Sequence, residues 1–362
     1  MLNTKMLLVQ TRKGAFMHFR PVWIAIVLGL IFSSAFAAVV PVPDVEKLTE
    51  QSTLIVVGEL TSTQRDIRAT TVDFSGRRIN VRVQRGTFRI DQVLKGDHQP
   101  SPVTVEFAVP DTSLGWSVPP EHAYGLFFFK DTGGTLELTD VYHAWISVPR
   151  GISVTAGTPL EGVVEVLGEV ISIPDSSRDM KQIALWYLEF AKSDASTRAL
   201  RGVITNADPI VGVNAARALM LRGDVSGLEV IKRAFLPGPQ SLPSLLEETV
   251  SNAIGIGIRD PKLIPDLEEL LSSSSRYMRR GVAMALMRTG SPDALNGLGR
   301  ALADSDFEVR YYGVLGLART TGDARGMTPH MEEFKADEIK YLSYWRERVN
   351  AQKLPTSPRN QE

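Results

Sequence analysis

Apolar positions in the first half of the chain come in short runs rich in β-branched and aromatic residues. In the second half they recur at helical spacing. The early runs are TLIVVGELTS (53–62), INVRVQRGTFRIDQVL (79–94), VTVEFAV (103–109), YGLFFFK (124–130) and TLELTD (135–140). Turn-forming segments separate them: Ser75-Gly76, Lys95-Gly96-Asp97 and the stretch from Asp131 to Gly134. This pattern predicts strands. Two further short runs, AWISV and GVVEVLGEVISI, read as strands as well, and DVEKLTEQS ahead of them as a short helix. Strands this close, without helices between them, predict an antiparallel sandwich or a small barrel.

From Ser176 the period becomes that of a helix. In SSRDMKQIALWYLEFAK, Ser176 precedes Asp179 as a capping pair, and Met180, Ala184, Tyr187 and Ala191 share a face. The segment reads as a buried linker helix, with the domain boundary near Pro174.

Beyond it the chain repeats itself. VGVNAARALMLRGD begins at Val211, LEETVSNAIGIGIRDP at Leu246, MRRGVAMALMRTGSP at Met278 and VRYYGVLGLARTTGD at Val309, with spacings of 35, 32 and 31 residues. A worn fifth copy, IKYLSYWRERV, starts at Ile339. Three residues before these starts stand Asp208, Ser275 and Asp306, all of the helix-capping type, and Pro243 followed by Ser244. Gly223, Gly290 and Gly322 mark the ends, where a left-handed cap needs glycine. Partner helices follow with apolar stripes: Leu228, Ile231 and Phe235; Ile264, Leu267 and Leu271; Leu295, Leu298 and Leu302; Met327, Met331 and Phe334. One such unit cannot bury its apolar face alone, so the copies must stack on a shared core.

These segments resemble the HEAT-like repeat family, including the bacterial type related to phycobilisome-lyase repeats. The resemblance implies a right-handed superhelical α-solenoid over 195–353. Its arginine after the first apolar position stands here as Arg279 and Arg310, whereas Gly212 and Glu247 occupy the place in the other copies. The strand region resembles the OB-like barrels of netrin and tissue-inhibitor-of-metalloproteinase type through LIVVGEL (54–60), FRIDQVLKG (88–96) and YGLFFFK. Those inhibitors chelate zinc through an N-terminal cysteine, and this chain has no cysteine at all. The resemblance therefore implies a barrel and a binding surface, without the inhibitory chemistry. The expected organisation is a signal peptide (1–37), a β-barrel or sandwich (38–174), a linker helix (175–194), the solenoid (195–353) and a disordered tail (354–362).

Composition narrows the function. Lys and Arg number 40 against 41 Asp and Glu in 362 residues, for a formal charge of −1. The repeat region from Asp208 to Lys353 carries 19 of each sign. Such balance lacks the footprint of a nucleic-acid binder. Arg12, Lys13, His18 and Arg20 precede the apolar run VWIAIVLGLIF and the motif Ala35-Phe36-Ala37, which predicts export with cleavage after Ala37. The run is shorter than the about 20 residues of a membrane span. An alternative start at Met17 gives a more ordinary signal, and retention of the run would leave a membrane anchor. Export without cysteine points to a bacterial periplasm or secretion.

Candidate chemistry is sparse. His98, His122, His143 and His330 are isolated, and no hydrolase, P-loop or kinase motif occurs. Gly255-Ile256-Gly257 lacks a third glycine and a preceding strand. Asp304, Asp306 and Glu308 lack the glycine of a calcium loop and read as a turn with Asp306 as helix cap. No catalytic residue, cofactor or metal site is expected. Arg280, Tyr311 and Tyr312 lie at neighbouring levels of the second-helix row, which the HEAT resemblance places on the concave face, and both residue types are frequent in interface hot spots. Arg279 and Arg310 are expected to bond to acidic residues between repeats. Trp116, in the Pro-rich loop DTSLGWSVPPEH, is a further candidate contact. The expected function is that of a non-enzymatic exported scaffold binding another envelope protein. The alternatives are an enzyme-associated maturation or lyase-related factor and a membrane-tethered assembly protein.

Overall fold

The computed structural model describes residues 41–351 apart from 75–76, 98–101, 112–115, 156, 237–241 and 323–326. The expected signal segment with Ala37, the C-terminal tail and His98 lie outside the described residues.

A short helix α1 (Val45–Gln51) opens the described chain, capped by Asp44, whose carboxylate accepts from the Lys47 N–H at 2.9 Å. Six strands follow: β1 (Leu54–Phe74), β2 (Arg77–Lys95), β3 (Val103–Pro110), β4 (Tyr124–Asp131), β5 (Leu136–Leu138) and β6 (Trp145–Ser147). Strand β1 pairs antiparallel with β2 along its length and with β4 through its first residues. β2 pairs with β3, β3 runs parallel to β5, and β4 pairs with both β5 and β6. The pairings followed through β1, β2, β3, β5 and β4 lead back to β1.

Alternation along β1 and β4 supplies two cores. Leu54, Val56, Leu60, Phe127 and Phe129 face Phe88, Val103, Val105 and Phe107 in one cluster. Their neighbours Ile55, Val57, Leu126 and Phe128 face helices on the other side. This explains why YGLFFFK is apolar without interruption: both faces of the strand are covered. Phe88 meets Phe127 and Phe129 edge-on, with ring centroids 5.0 and 5.1 Å apart.

Two strand expectations change. Residues 63–74, polar and left out of the sequence-predicted strand, continue β1 as a long hairpin with β2, from Thr63 opposite Gly86 to Phe74 opposite Arg77. Backbone pairing carries that extension, with no buried face to mark it in the sequence. The run GVVEVLGEVISI is a helix rather than a strand: α2 (Pro159–Ser172). Thr158 caps it, accepting from the Glu161 N–H at 3.3 Å and donating to the Glu161 carboxylate at 2.9 Å, and Pro159 suits the first turn. Val163, Val166, Leu167, Val170 and Ile171 are all fully buried, and cover on several sides erases the polar stripe that would reveal a helix.

The helices α3 (Arg178–Phe190), α4 (Asp194–Val203) and α5 (Pro209–Leu221) come next. The cap of α3 is Ser177, one residue beyond the predicted Ser176. The expected linker α3 is a core element: Ala184, Leu185, Tyr187 and Leu188 share one cluster with α1, the outer face of β1 and β4, α2, α4 and α5. The strand region and the helices are thus joined by a common apolar core.

The repeat region continues with α6 (Leu228–Phe235), α7 (Ser244–Gly257), α8 (Ile264–Leu270), α9 (Arg276–Thr289), α10 (Leu295–Ala301), α11 (Phe307–Thr321), α12 (Met331–Ala336) and α13 (Glu338–Asn350). The predicted caps Asp208, Ser275 and Asp306 hold their helix starts, and Pro243 precedes α7. Gly223, Gly290 and Gly322 take left-handed φ values of 77°, 60° and 68°. The second helices pack in sequence, α5 on α7, α7 on α9 and α9 on α11. One apolar cluster runs from Val213 to Trp345. At Gly281 a Cβ would fall 2.2 Å from the Ser251 carbonyl, so α9 approaches α7 as only glycine allows. Among the described residues no helix is long and apolar enough to cross a membrane.

His143 ties the strand region to α3. It is 5% exposed, its Nε2–H donates to the Pro41 carbonyl at 2.7 Å, and Nδ1 lies 3.2 Å from the Tyr187 hydroxyl. Burial lowers its pKa from the ordinary 6.5, against the opposing pull of the Pro41 carbonyl and Asp140. The native chain thus holds His143 neutral while the unfolded chain protonates it. Its contribution is complete above pH 6.5 and is lost as pH falls from there towards the lowered native value. Urea unfolding at pH 7.5 and 5.5 should therefore show a larger acid loss in the wild type than in His143→Gln. Equal losses would place the titration elsewhere.

Candidate functional site

The second-helix row carries the predicted contact residues, and local geometry decides what each can do. Arg279, early in α9, grips the next repeat: Nε donates to Asp304 Oδ2 at 2.7 Å and Nη2 to Oδ1 at 3.1 Å. Its remaining donor reaches the Ser273 carbonyl at 2.9 Å. Arg310, at the same place in α11, pairs with Glu338 and donates to the carbonyls of Asp304 and Ser305, both at 2.8 Å. Both arginines make the inter-repeat bonds expected of them. The two departures from the pattern have their own geometry. At Gly212 a Cβ would fall 2.7 Å from the Ile204 carbonyl, and Glu247 instead accepts from the Ser275 hydroxyl at 2.6 Å.

Arg280, a candidate protein contact, belongs to the same joint. Its Nε and Nη2 form a fork on Asp306 at 2.8 and 2.7 Å, and Nη1 lies 3.0 Å from Glu308. The hydrogen bond to Asp306 is the largest cause raising the Arg280 pKa. At Asp306 burial acts upward, and Arg280 with the Val309 and Glu308 N–H groups outweighs it, so the carboxyl titrates below its ordinary value. Asp306 also accepts the first N–H groups of α11, at 3.0 and 3.2 Å. The acidic cluster of Asp304, Asp306 and Glu308 is therefore a capped joint. Among the described residues no group of three His, Asp or Glu side chains is placed to hold a metal ion.

Tyr311 points inward. It is 9% exposed, packs with its centroid 5.4 Å from Phe334, and lies with its hydroxyl 3.4 Å from the Pro329 carbonyl. Burial raises its pKa. Tyr312 is half-buried at 5.7 Å from Tyr311, between Arg280 and Arg288 electrostatically, and burial raises its pKa too. Of the predicted trio, then, Arg280 and Tyr312 are neighbours, and Tyr311 is part of the core. Trp116 lies in the strand region, half-buried, with its indole hydrogen-bonded to Tyr142. The structure does not bring it to the helical row. His122 has a left-handed φ of 67° and donates its backbone N–H to the Leu60 carbonyl at 2.7 Å, and His330 caps α12.

Two concavities lie along the repeats. One of about 440 Å³ is lined by Pro261, Ile264, Pro265, Glu268 and Asp293, with Asn296 donating to Glu268 at 3.2 Å. The other, about 240 Å³, is lined by Arg259, Arg288 and Arg319 at the ends of α7, α9 and α11. Sequence reading passed over these three. Their signal was present: each follows a second helix's last apolar residues and precedes the turn, in RD, RTG and RTTG.

A family model for HEAT repeats matches residues 241–318, and the C-terminal half contains a HEAT-like repeat region. No curated protein matches the chain. A crystal structure of an engineered protein from the Northeast Structural Genomics Consortium is similar at 18% identity and a TM-score of 0.35, covering 51% of this chain and 96% of its own.

Arg280→Ala should leave the Asp306 carboxylate poorly paired and destabilise the protein by about 2 kcal/mol. Urea unfolding reads this directly. A loss within about 0.5 kcal/mol, as for an ordinary surface residue, would restore Arg280 to the role of an accessible contact.

Proposed function

We propose that this protein is a non-enzymatic exported scaffold that binds another protein of the bacterial envelope through its helical repeats. The observation that carries the reading is the unbroken row α5, α7, α9 and α11, built on one core and leaving a side of polar and partly exposed residues along several repeats. Stacked helical repeats gain extended binding surfaces from this construction. The match to HEAT repeats supports it.

The finer parts of the reading rest on the sequence. Export follows from the basic, apolar and A-x-A order of the first 37 residues. The returning circuit of strand pairings, with its parallel β3–β5 step, supports an OB-like barrel as the module that precedes an α-solenoid. The shared core through α3 would then hold barrel and solenoid as one unit presenting a fixed surface to the partner.

Affinity capture with the full chain from an envelope fraction tests the scaffold. The expected result is one enriched protein that co-elutes with the chain in size exclusion. A chain that elutes alone and enriches nothing over a tag control would overturn it. Sequencing the mature N-terminus tests export, with Ala38 expected first. Recovery of residues before Ala35 would overturn the cleavage.

A further inference from the structure

Three arginines meet no acid among the described residues. Arg259, two residues beyond α7, Arg288 in α9 and Arg319 in α11 line one concavity of about 240 Å³. None forms an ion pair with a carboxylate among the described residues. In the first repeat the arginine beside the closing Gly223 is structural. There Arg222 donates to the carbonyls of Leu188, Glu189 and Ala191 and to the hydroxyls of Ser196 and Thr197, closing the end of α3. Arg259, Arg288 and Arg319 stand at other distances from their turns and make no such hydrogen bonds among the described residues.

Their mutual field is unfavourable. Burial and the charges of Arg259 and Arg319 lower the Arg288 pKa, and the remaining group acting on it is Tyr312, with no carboxylate among them. Arg279, Arg280 and Arg310, by contrast, are each paired with a carboxylate. Like charges gathered in a concavity are destabilising unless an anion completes them, and guanidinium forks match carboxylate geometry. Ile256, three residues before Arg259 on α7, is 44% exposed, in a chain with few exposed large apolar side chains.

We infer that Arg259, Arg288 and Arg319 form the docking site for an acidic segment of the protein partner, with Ile256 beside them as an apolar contact. The inference rests on the scaffold reading and deepens it, because three donors from three repeats call for several carboxylates on one strand of chain. A carboxylate-rich peptide, rather than a single small anion, satisfies all three at once.

The probe is a labelled hexaglutamate peptide, titrated against the full chain in low salt by fluorescence anisotropy. Hexaglutamine and inorganic phosphate serve as the other arms. Hexaglutamate should bind, and the triple variant Arg259→Gln/Arg288→Gln/Arg319→Gln should weaken it by about tenfold or more. A variant with the same change of charge in the strand region and α4, Arg65→Gln/Arg78→Gln/Arg198→Gln, should bind as the wild type does. The first triple variant should melt at or above the wild-type temperature, since it removes no ion pair among the described residues and relieves the repulsion between the three charges. Hexaglutamate that fails to bind, or binds the first triple variant equally well, overturns the inference. Binding of phosphate without hexaglutamate also overturns it, and makes the site one for a free oxyanion. An envelope partner retained equally by wild type and triple variant would sink this site alone and leave the scaffold reading standing.

Discussion

The wall formed by β4 and the first residues of β1 is buried on both faces, and the rest of the molecule is arranged around that constraint. Leu126, Phe127, Phe128 and Phe129 are all fully buried, although successive side chains point to opposite sides of a strand. Two phenylalanines fill the interior of the strand region. The others demand a second cover, which α1, α2 and α3 provide. A strand region on a flexible tether could not satisfy this strand, because its outer face would lie open to water. The helices that cover the wall are in turn the first layers on which the repeat region stacks, through Val211, Ala215 and Leu219 of α5. Strand and repeat regions are thereby bound by the same apolar surface that a division at Pro174 would expose.

Further along, a ladder of charge adds to the apolar contact at the joints between repeats. Arg279 on Asp304, Arg280 on Asp306 and Arg310 on Glu338 each tie one second helix to the turn or helix that follows. The acids also cap helices: Asp306 accepts from the first N–H groups of α11 while holding Arg280. One side chain thus terminates a turn and fixes the rotation of neighbouring repeats. Where the ladder is missing, backbone contact replaces it, as at Gly212 against Ile204 and Gly281 against Ser251.

Much of this was legible in the sequence, for reasons that differ by region. The repeat helices announced their starts through Asp208, Ser275 and Asp306 and their ends through Gly223, Gly290 and Gly322, because capping is a local requirement met by few residue types. Strands β3 and β4 were plain for the same local reason. Helix α2 was not: Val163, Val166 and Val170 are β-branched and buried, and cover from several directions removed the helical period. The polar half of β1 was hidden because its pairing with β2 leaves no apolar trace. At the candidate site the residue types were found but not their orientation. Tyr311 and Tyr312 are adjacent, and a turn of about 100° per residue, from 3.6 residues per turn, sends one into the core and leaves the other at its edge. Which of Arg279 and Arg280 would be paired depended on Asp304 and Asp306 in the following turn, and both were.

Net charge misled in the same way, by averaging over places that the fold keeps apart. The repeat region has 19 cations and 19 anions, a balance that predicts no strong local field. In the structure the acids of the turns are consumed at the joints, where Asp304, Asp306 and Glu338 each hold an arginine from the start of a second helix. The arginines at the opposite ends of α7, α9 and α11 fall outside that exchange and face one another instead. Neutrality over the whole therefore coexists with a local gathering of positive charge at Arg259, Arg288 and Arg319. A field of that kind is set by helix length and the position of the turn. It follows from where Arg259, Arg288 and Arg319 stand relative to the glycine or aspartate that ends each helix, and it is carried in the repeat itself.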